Sequence, residues 1–379
     1  MALIYLVAGE ASGDVLGARL MQALRQIHPE LSFAGIGGAM MAASGMDSLF
    51  PMQELSLMGL VEILPNITRL KRRLEQTASD IAARKPAMVV TIDSPGFSLR
   101  LLRRIAGLGL RRVHYVAPQV WAWRPGRVKH FPGLWDRLLC LLPFEPAFFE
   151  PHGLAPVFVG HPVLESGADR GDAQRFRTAF SLPPAARPLI LMPGSRRSEL
   201  SRLLPIFRTT LDRLTADHPD LVPVLAAAPA MTDRVRREMQ DWRVRPLIVS
   251  DPASRYDAFA ASIAALTKSG TSTLELAMAG VPMVVTYRVH PATAAIARRL
   301  VTVDHAAIVN LLAGRGLVPE LIQQDCTPPK LIAALSPLLQ GGPEAATQRA
   351  GFAQIASMLT PPSGDKPSMA AAKAILELL

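Results

Sequence analysis

The chain is built from short β-branched runs that alternate with amphipathic stretches, and the alternation starts twice. The first series of candidate strands is Leu3–Val7, Ser32–Ile36, Met88–Ile92, Arg112–Val116, Arg137–Leu141 and Val157–Val159. The second is Leu189–Met192, Val222–Ala226, Leu247–Val249, Ala264–Leu266 and Met283–Thr286. Helical patterns such as Leu16–Ile27 and Leu200–Ala216 lie between them. Strand–helix alternation of this kind predicts an α/β chain with parallel sheets covered on both faces. The restart follows a Pro-, Gly-, Asp- and Arg-rich stretch at 161–187, which reads as a linker. Two doubly wound, Rossmann-like halves are therefore expected, at 1–165 and 186–345. The length of 379 residues also suits two domains better than one. Ligands of such folds sit at the carboxyl ends of the strands, so a site in a cleft between the halves is expected.

Composition narrows the partners. Hydrophobic residues make up 49% and charged residues 19%, enough to bury a core in each half. The net charge of +10 points to an anionic partner: a phosphorylated substrate, an anionic membrane surface or nucleic acid. No recognition motif or aromatic platform for nucleic acid is present, so none is expected as a partner. Cys140 and Cys326 are far apart and lack metal spacing, which predicts buried thiols in a reducing compartment. The start Ala2–Val7 reads as a strand rather than a signal peptide. No uncharged run reaches the roughly 20 residues of a membrane helix, and a cytoplasmic location follows as the expectation.

Several strand-to-helix turns carry chemistry. Thr267–Glu275 (TKSGTSTLE) follows an apolar strand and opens a helix over Thr273–Ala279. Ser269, Gly270 and Thr271 would expose backbone N–H groups to a phosphate, with Glu275 one turn on and able to reach a ribose diol. An ordinary capped helix fits the same residues. Leu191–Glu199 (LMPGSRRSE) is a second such turn, where Arg196 could fork onto a diphosphate. A solvated arginine pair is the plainer alternative. Val7–Asp14 (VAGEASGD) is Gly-rich but is neither a phosphate-binding P-loop nor the dinucleotide fingerprint. Asp93 ends an apolar strand in TIDSPGF, where a partly desolvated carboxylate is a suitable general base for a sugar hydroxyl. A loop Asp capping the next helix fits equally. His114–Arg124 (HYVAPQVWAWR) and Arg127–His130 place aromatic, amide and basic groups after a strand, a set able to hold a phosphorylated sugar. Leu55–Pro65 is almost wholly apolar and precedes Arg69, Lys71, Arg72 and Arg73, the pattern of an interfacial segment or of a core helix with a solvated end.

Taken in order, AGEASGD, LMGLVEIL, IDSPGF, HYVAPQVWAWRPGRV, LPFEPAFF, FVGHP, PGSRRSE, KSGTSTLE, GVPMVVTYR and NLLAGR resemble the lipid-A-disaccharide synthase family, GT-B glycosyltransferases of family 19. The resemblance covers nearly the whole chain. It implies a GT-B fold with a C-terminal helix, 346–379, returning to an N-terminal domain. It implies that UDP-2,3-diacylglucosamine and 2,3-diacylglucosamine 1-phosphate are joined with inversion into a β-1,6 disaccharide 1-phosphate, without a cofactor. It also implies a homodimer with swapped C-terminal segments, peripheral on the cytoplasmic face of the inner membrane. Asp93 matches the essential acid of the family. Gly9, Glu10, Ser12, Gly13, Asp14, Gln119, Trp121, Arg196, Ser269, Gly270, Thr271 and Glu275 fall on substrate- and UDP-binding motifs. Asn310 and Arg315 match nucleotide-side residues delivered by the partner. Met58, Val61, Leu64, Arg69, Arg72 and Arg73 fall on the acyl- and membrane-binding segment. Where the family often has Asp-Phe-Asn, this chain has Gly96-Phe97-Ser98, which leaves Asp93 as the one carboxylate of its turn. No Asp-x-Asp motif is present, and metal-independent transfer is expected. Other UDP-sugar GT-B enzymes, UDP-sugar epimerases and an inactive membrane-bound relative are the rival readings.

Overall fold

The computed structural model describes residues 2–55 and 66–379. The chain divides into two compact units, Met1–Pro162 with Leu359–Leu379, and Val163–Met358. The first unit holds a parallel sheet of β1 (Leu3–Ala8), β2 (Ser32–Ile36), β3 (Met88–Ile92), β4 (Arg111–Tyr115), β5 (Arg137–Cys140) and β6 (Pro156–Phe158), in the order β2-β1-β3-β4-β5-β6. The second holds β7 (Arg187–Met192), β8 (Leu221–Ala226), β9 (Leu247–Val249), β10 (Ala264–Lys268), β11 (Met283–Tyr287) and β12 (Glu320–Ile322), in the order β12-β11-β10-β7-β8-β9.

The central strands carry continuous apolar runs because helices cover both of their faces. Every residue of β3 is buried, as are Leu189–Met192 of β7. The edge strands β9 and β12 are only three residues long and mostly half-buried. β12 has no counterpart among the expected strands: Glu-Leu-Ile is too short to show a period, and only its pairing with Val285–Tyr287 makes it a strand.

Both boundaries differ from the sequence expectation, for packing reasons. The stretch 163–185 is part of the second unit, because Asp257 accepts from the Asp172 amide and pairs with Arg175. Helix Pro343–Met358 also stays in the second unit. There Gln348 Oε1 accepts from Met283 N at 2.7 Å, and Gly351 packs so tightly on Leu317 that an added Cβ would lie 2.5 Å from its side chain. The return to the first unit thus begins at Leu359 rather than 346. Helix Pro367–Leu376 lies on helix Ala11–Ile27, and its Ala371, Ala372, Ala374 and Ile375 enter the core. Arg137 secures it through the Ala374 carbonyl and Glu377.

Candidate active site

In the first unit the parallel register brings the carboxyl ends of β1, β3 and β4 side by side, with Ala8 opposite Ile92 and Ile92 opposite Tyr115. The turn after β3 is strained. Asp93 (φ 51°) and Ser94 (φ 46°) are both left-handed, a conformation that costs non-glycine residues roughly 1–3 kcal/mol each. Three contacts hold it. Asp93 N donates to the Tyr115 carbonyl at 2.8 Å, Ser98 Oγ donates to the Asp93 carbonyl at 2.7 Å, and Ser94 packs on Gly9. A Cβ at Gly9 would lie 2.4 Å from Ser94 Oγ, so only glycine lets the first turn close against the third. Burial pushes the Asp93 carboxyl above the ordinary range, opposed by a hydrogen bond from the Ser94 backbone. The result is a partly desolvated acid at the sheet's carboxyl edge.

The same unit buries two ionisable groups, His114 and Glu145, to which the sequence assigns no individual role. His114 is buried and stacks on Trp135 with ring centroids 5.4 Å apart; its Nδ1 is 2.8 Å from Thr91 Oγ1. Burial pushes its pKa down to about 3, so the ring is neutral. Glu145, also buried, accepts from Leu141 N (2.9 Å), Leu142 N (3.0 Å) and Trp121 Nε1 (3.1 Å). Burial pushes its pKa up to about 7 against those three donors. It fixes the Trp121 ring, while Gln119 is exposed at the start of helix Val120–Trp123. The lone acid in the apolar run LLPFEPAFF was the available signal for Glu145.

In the second unit, β7 and β10 are neighbours, with Met192 opposite Thr267, so their following turns meet. Glu199 joins them. Its Oε2 accepts from Ser195 N (3.0 Å) and Arg196 N (3.2 Å), and its Oε1 lies 3.2 Å from Lys268 Nζ and 3.6 Å from Arg196 Nη1. Gly194 (φ 113°) is obligatory here, since a Cβ would fall 2.3 Å from Glu199 Oε2. Two cations thus share one buried carboxylate, and the local balance is positive. Ser269 Oγ donates to Ala306 O at 2.7 Å, and Thr273 Oγ1 to Gly270 O at 2.7 Å. Glu275 Oε1 accepts from Tyr256 Oη (2.9 Å) and Arg255 (3.1 Å), which set its direction.

A family profile described as lipid-A-disaccharide synthetase matches residues 4–374. The chain belongs to the lipid-A-disaccharide synthase family. A relative of that name from Gluconobacter oxydans is 58% identical over 377 residues, covering 100% of this chain and 91% of its own. Another, from Granulibacter bethesdensis, is 56% identical over 387 residues, covering 100% and 98%. Among solved structures, the glycosyltransferase of kitacinnamycin superposes with TM-score 0.67 at 16% identity, covering 100% of this chain and 99% of that one. The S. aureus MnaA–UDP co-structure gives TM-score 0.66 at 16% identity, covering 100% and 98%. The fold is therefore GT-B, shared by glycosyltransferases and epimerases, and membership makes the chain a glycosyltransferase of lipid A biosynthesis.

Within the lipid-A-disaccharide synthase frame, several of the expected site residues are also engaged within the fold. Asp14 is buried, and its carboxylate accepts from Gly38 N (2.8 Å), Met40 N (2.9 Å) and Met41 N (3.0 Å). With three donors on it, it holds the turn after β2. At Gly13 an added Cβ would meet Ala8 at 3.4 Å and the Ile92 carbonyl at 3.5 Å, which is ordinary contact, so packing alone does not demand glycine there. Asn310 is buried and spent on Val318 N, Val318 O and Glu320 at 2.7–2.9 Å, so it shapes the loop before β12. Arg315, near the start of that loop, is exposed, as is Ser12 in the first turn. Arg73 is forked onto Glu54 (2.5 and 2.9 Å) and stacks on Phe50, which commits it within the fold. Arg69 is 4.0 Å from the same Glu54, while Arg72 is exposed. Met58, Val61 and Leu64 lie outside the described residues. Among the described residues no helix is long and apolar enough to cross a membrane, and no cluster of three or more His, Cys, Asp or Glu side chains suits a metal ion.

Proposed function

We propose that the enzyme transfers diacylglucosamine from UDP-2,3-diacylglucosamine to the 6-hydroxyl of 2,3-diacylglucosamine 1-phosphate. The products are a β-1,6 disaccharide 1-phosphate and UDP. The observation that carries this reading is Asp93, a desolvated carboxyl held in two consecutive left-handed residues at a sheet's carboxyl edge. Such strain persists where the surrounding contacts over-determine it, which is common at functional turns. Asp93 accepts the proton of the acceptor hydroxyl as its oxygen attacks the anomeric carbon. One in-line displacement inverts that centre, and the bond to the diphosphate breaks. Negative charge grows on the leaving UDP, so fixed positive charge there lowers the barrier.

The second unit supplies that charge. Arg196 and Lys268 share Glu199, and the two turns open helices Arg197–Asp217 and Ser272–Met278, whose N-termini add positive potential. The S. aureus MnaA structure, on the same fold, is a co-structure with UDP, which supports a UDP ligand for this fold. Glu275, aimed by Arg255 and Tyr256, suits the ribose diol. Because these groups carry the leaving-group charge, a chelator should leave turnover unchanged. The test is UDP release in detergent micelles with donor alone, acceptor alone and both. Release that needs both lipids, with a tetraacyl disaccharide phosphate by mass, supports the reading. Release with a different acceptor only would overturn the substrate assignment.

The membrane and subunit readings belong to the same proposal. The enzyme works at the cytoplasmic face of the inner membrane through the 55–65 segment, with Arg72 toward anionic headgroups. It pairs with a second copy by exchange of C-terminal segments.

A further inference from the structure

A second cationic site lies beside Asp93 in the first unit. Helix Pro95–Arg104 and the turn Pro125–His130 wall an open pocket of about 620 Å³. Arg100, Arg103, Arg127 and His130 line it, over a floor that includes the buried Leu99 and Phe131. No carboxylate lines it, and among the described residues none of the three arginines has an acidic partner. Arg100 donates to the Gly96 carbonyl (2.9 Å) and Arg103 to the His130 carbonyl (3.2 Å), so both guanidinium groups are held at the rim with donors to spare. Like charges gathered without a counter-ion repel one another, an arrangement that an anion would relieve. Forked guanidinium donors match the terminal oxygens of a phosphate.

We propose that this pocket binds the phosphomonoester of a lipid, and in particular the 1-phosphate of the acceptor sugar. The proposal rests on the transferase reading above and adds to it the feature that selects a phosphorylated acceptor. Pro95 and Gly96 of the pocket begin the helix that Asp93 and Ser94 lead into. A pyranose carries its 1- and 6-oxygens on either side of the ring oxygen. An acceptor anchored by its 1-phosphate in the pocket would therefore turn its 6-hydroxyl toward the base. Free membrane lipids with a phosphomonoester headgroup share this chemistry and form the second source.

The experiment uses the full-length enzyme in neutral micelles, with diacylglucosamine as the acceptor, with and without its 1-phosphate. The variants are Arg127→Gln and the double variant Arg100→Gln/Arg127→Gln. Arg111→Gln, an exposed arginine at the amino end of β4, is the control. The expected result is a rise of about tenfold in KM for the phosphorylated acceptor in the double variant, with kcat and the donor KM held. Its preference for the phosphorylated acceptor over the unphosphorylated one should fall by the same factor. A parallel arm floats each protein on phosphatidylcholine vesicles with and without phosphatidic acid. Loss of phosphatidic-acid-dependent binding with an unchanged acceptor preference would assign the pocket to membrane headgroups. If neither acceptor preference nor vesicle binding differs from wild type, the pocket proposal is overturned while the transferase reading stands. A wild-type enzyme that turns over neither acceptor would instead overturn that reading, and the vesicle arm alone would then decide the pocket.

Discussion

The two sheets end in turns that solve opposite electrostatic problems. After β3, the chain strains Asp93 and Ser94 into left-handed backbone and takes water from a carboxyl, which raises its proton affinity. After β7 and β10, the left-handed position goes to Gly194, and the carboxylate of Glu199 is covered by backbone amides and two cations. One turn prepares an acid that can take a proton. The other uses its acid as scaffolding for positive charge. Fold symmetry between the halves therefore says little about their chemistry, which the partners of each carboxylate decide.

The sharpest way to break this comparison is at Asp93. Asp93→Ala should lower turnover by roughly 10²–10⁴-fold while thermal unfolding changes little, since the side chain holds up no other element. Full activity in a folded variant would remove Asp93 as the base. The pH profile gives a second reading. A base must be ionised, so turnover should fall as pH drops through the raised pKa of Asp93, at a pH above the usual carboxylate range. An acid limb at the ordinary aspartate value would contradict the desolvation argument.

On the other side, Lys268→Met should strip one cation from Glu199. Breaking an enclosed pair costs several kcal/mol, but Lys268 keeps 19% side-chain exposure, so about 2–3 kcal/mol of stability is expected. The KM for the UDP donor should rise as well. A stable variant with an unchanged donor KM would mean that the second turn does not gather charge for the nucleotide.

Glu145 tests burial without strain. Its folded pKa of about 7 lies above the unfolded carboxyl value, so the native state holds the proton more tightly. Stability should accordingly fall as pH rises from about 4.5 to about 7 and then level off. Glu145→Gln should flatten that slope in melting temperatures measured across the range. An unchanged slope would show that the three donated hydrogen bonds keep Glu145 ionised throughout.

The sequence reveals these turns unevenly, and the reason is distance along the chain. The place of Asp93 just past an apolar strand was legible, because the buried run before it is continuous. Its left-handed backbone was not, because the restraints come from Tyr115 on β4 and from Gly9 just past β1. Asp14 and Asn310 looked like ligand groups by motif. Their partners are backbone amides, a carbonyl and the Glu320 carboxylate, eight to 27 residues away, and only the folded chain shows those groups facing them. The β/α order was legible in β1 to β11 because buried strands leave continuous apolar runs. β12 and the Leu359 boundary depend on pairing and on Gln348, which leave no local pattern.

The smallest expected effect concerns two adjacent arginines. Arg72 is exposed on helix Ile67–Arg84, whereas Arg73 is forked onto Glu54 and lies 4.6 Å from the Phe50 ring centroid. If membrane attraction comes from cations that keep their charge for the surface, Arg72→Gln should weaken binding to anionic vesicles by about 1 kcal/mol, some fivefold. Thermal unfolding should be unchanged. Arg73→Gln should do the reverse, lowering stability through the Glu54 pair and leaving vesicle binding nearly intact. Co-sedimentation at two salt concentrations and a melting curve for each variant separate the effects. Equal loss of vesicle binding in both would mean that Glu54 does not hold Arg73 back from the surface, and the division between a structural and a surface arginine would fail.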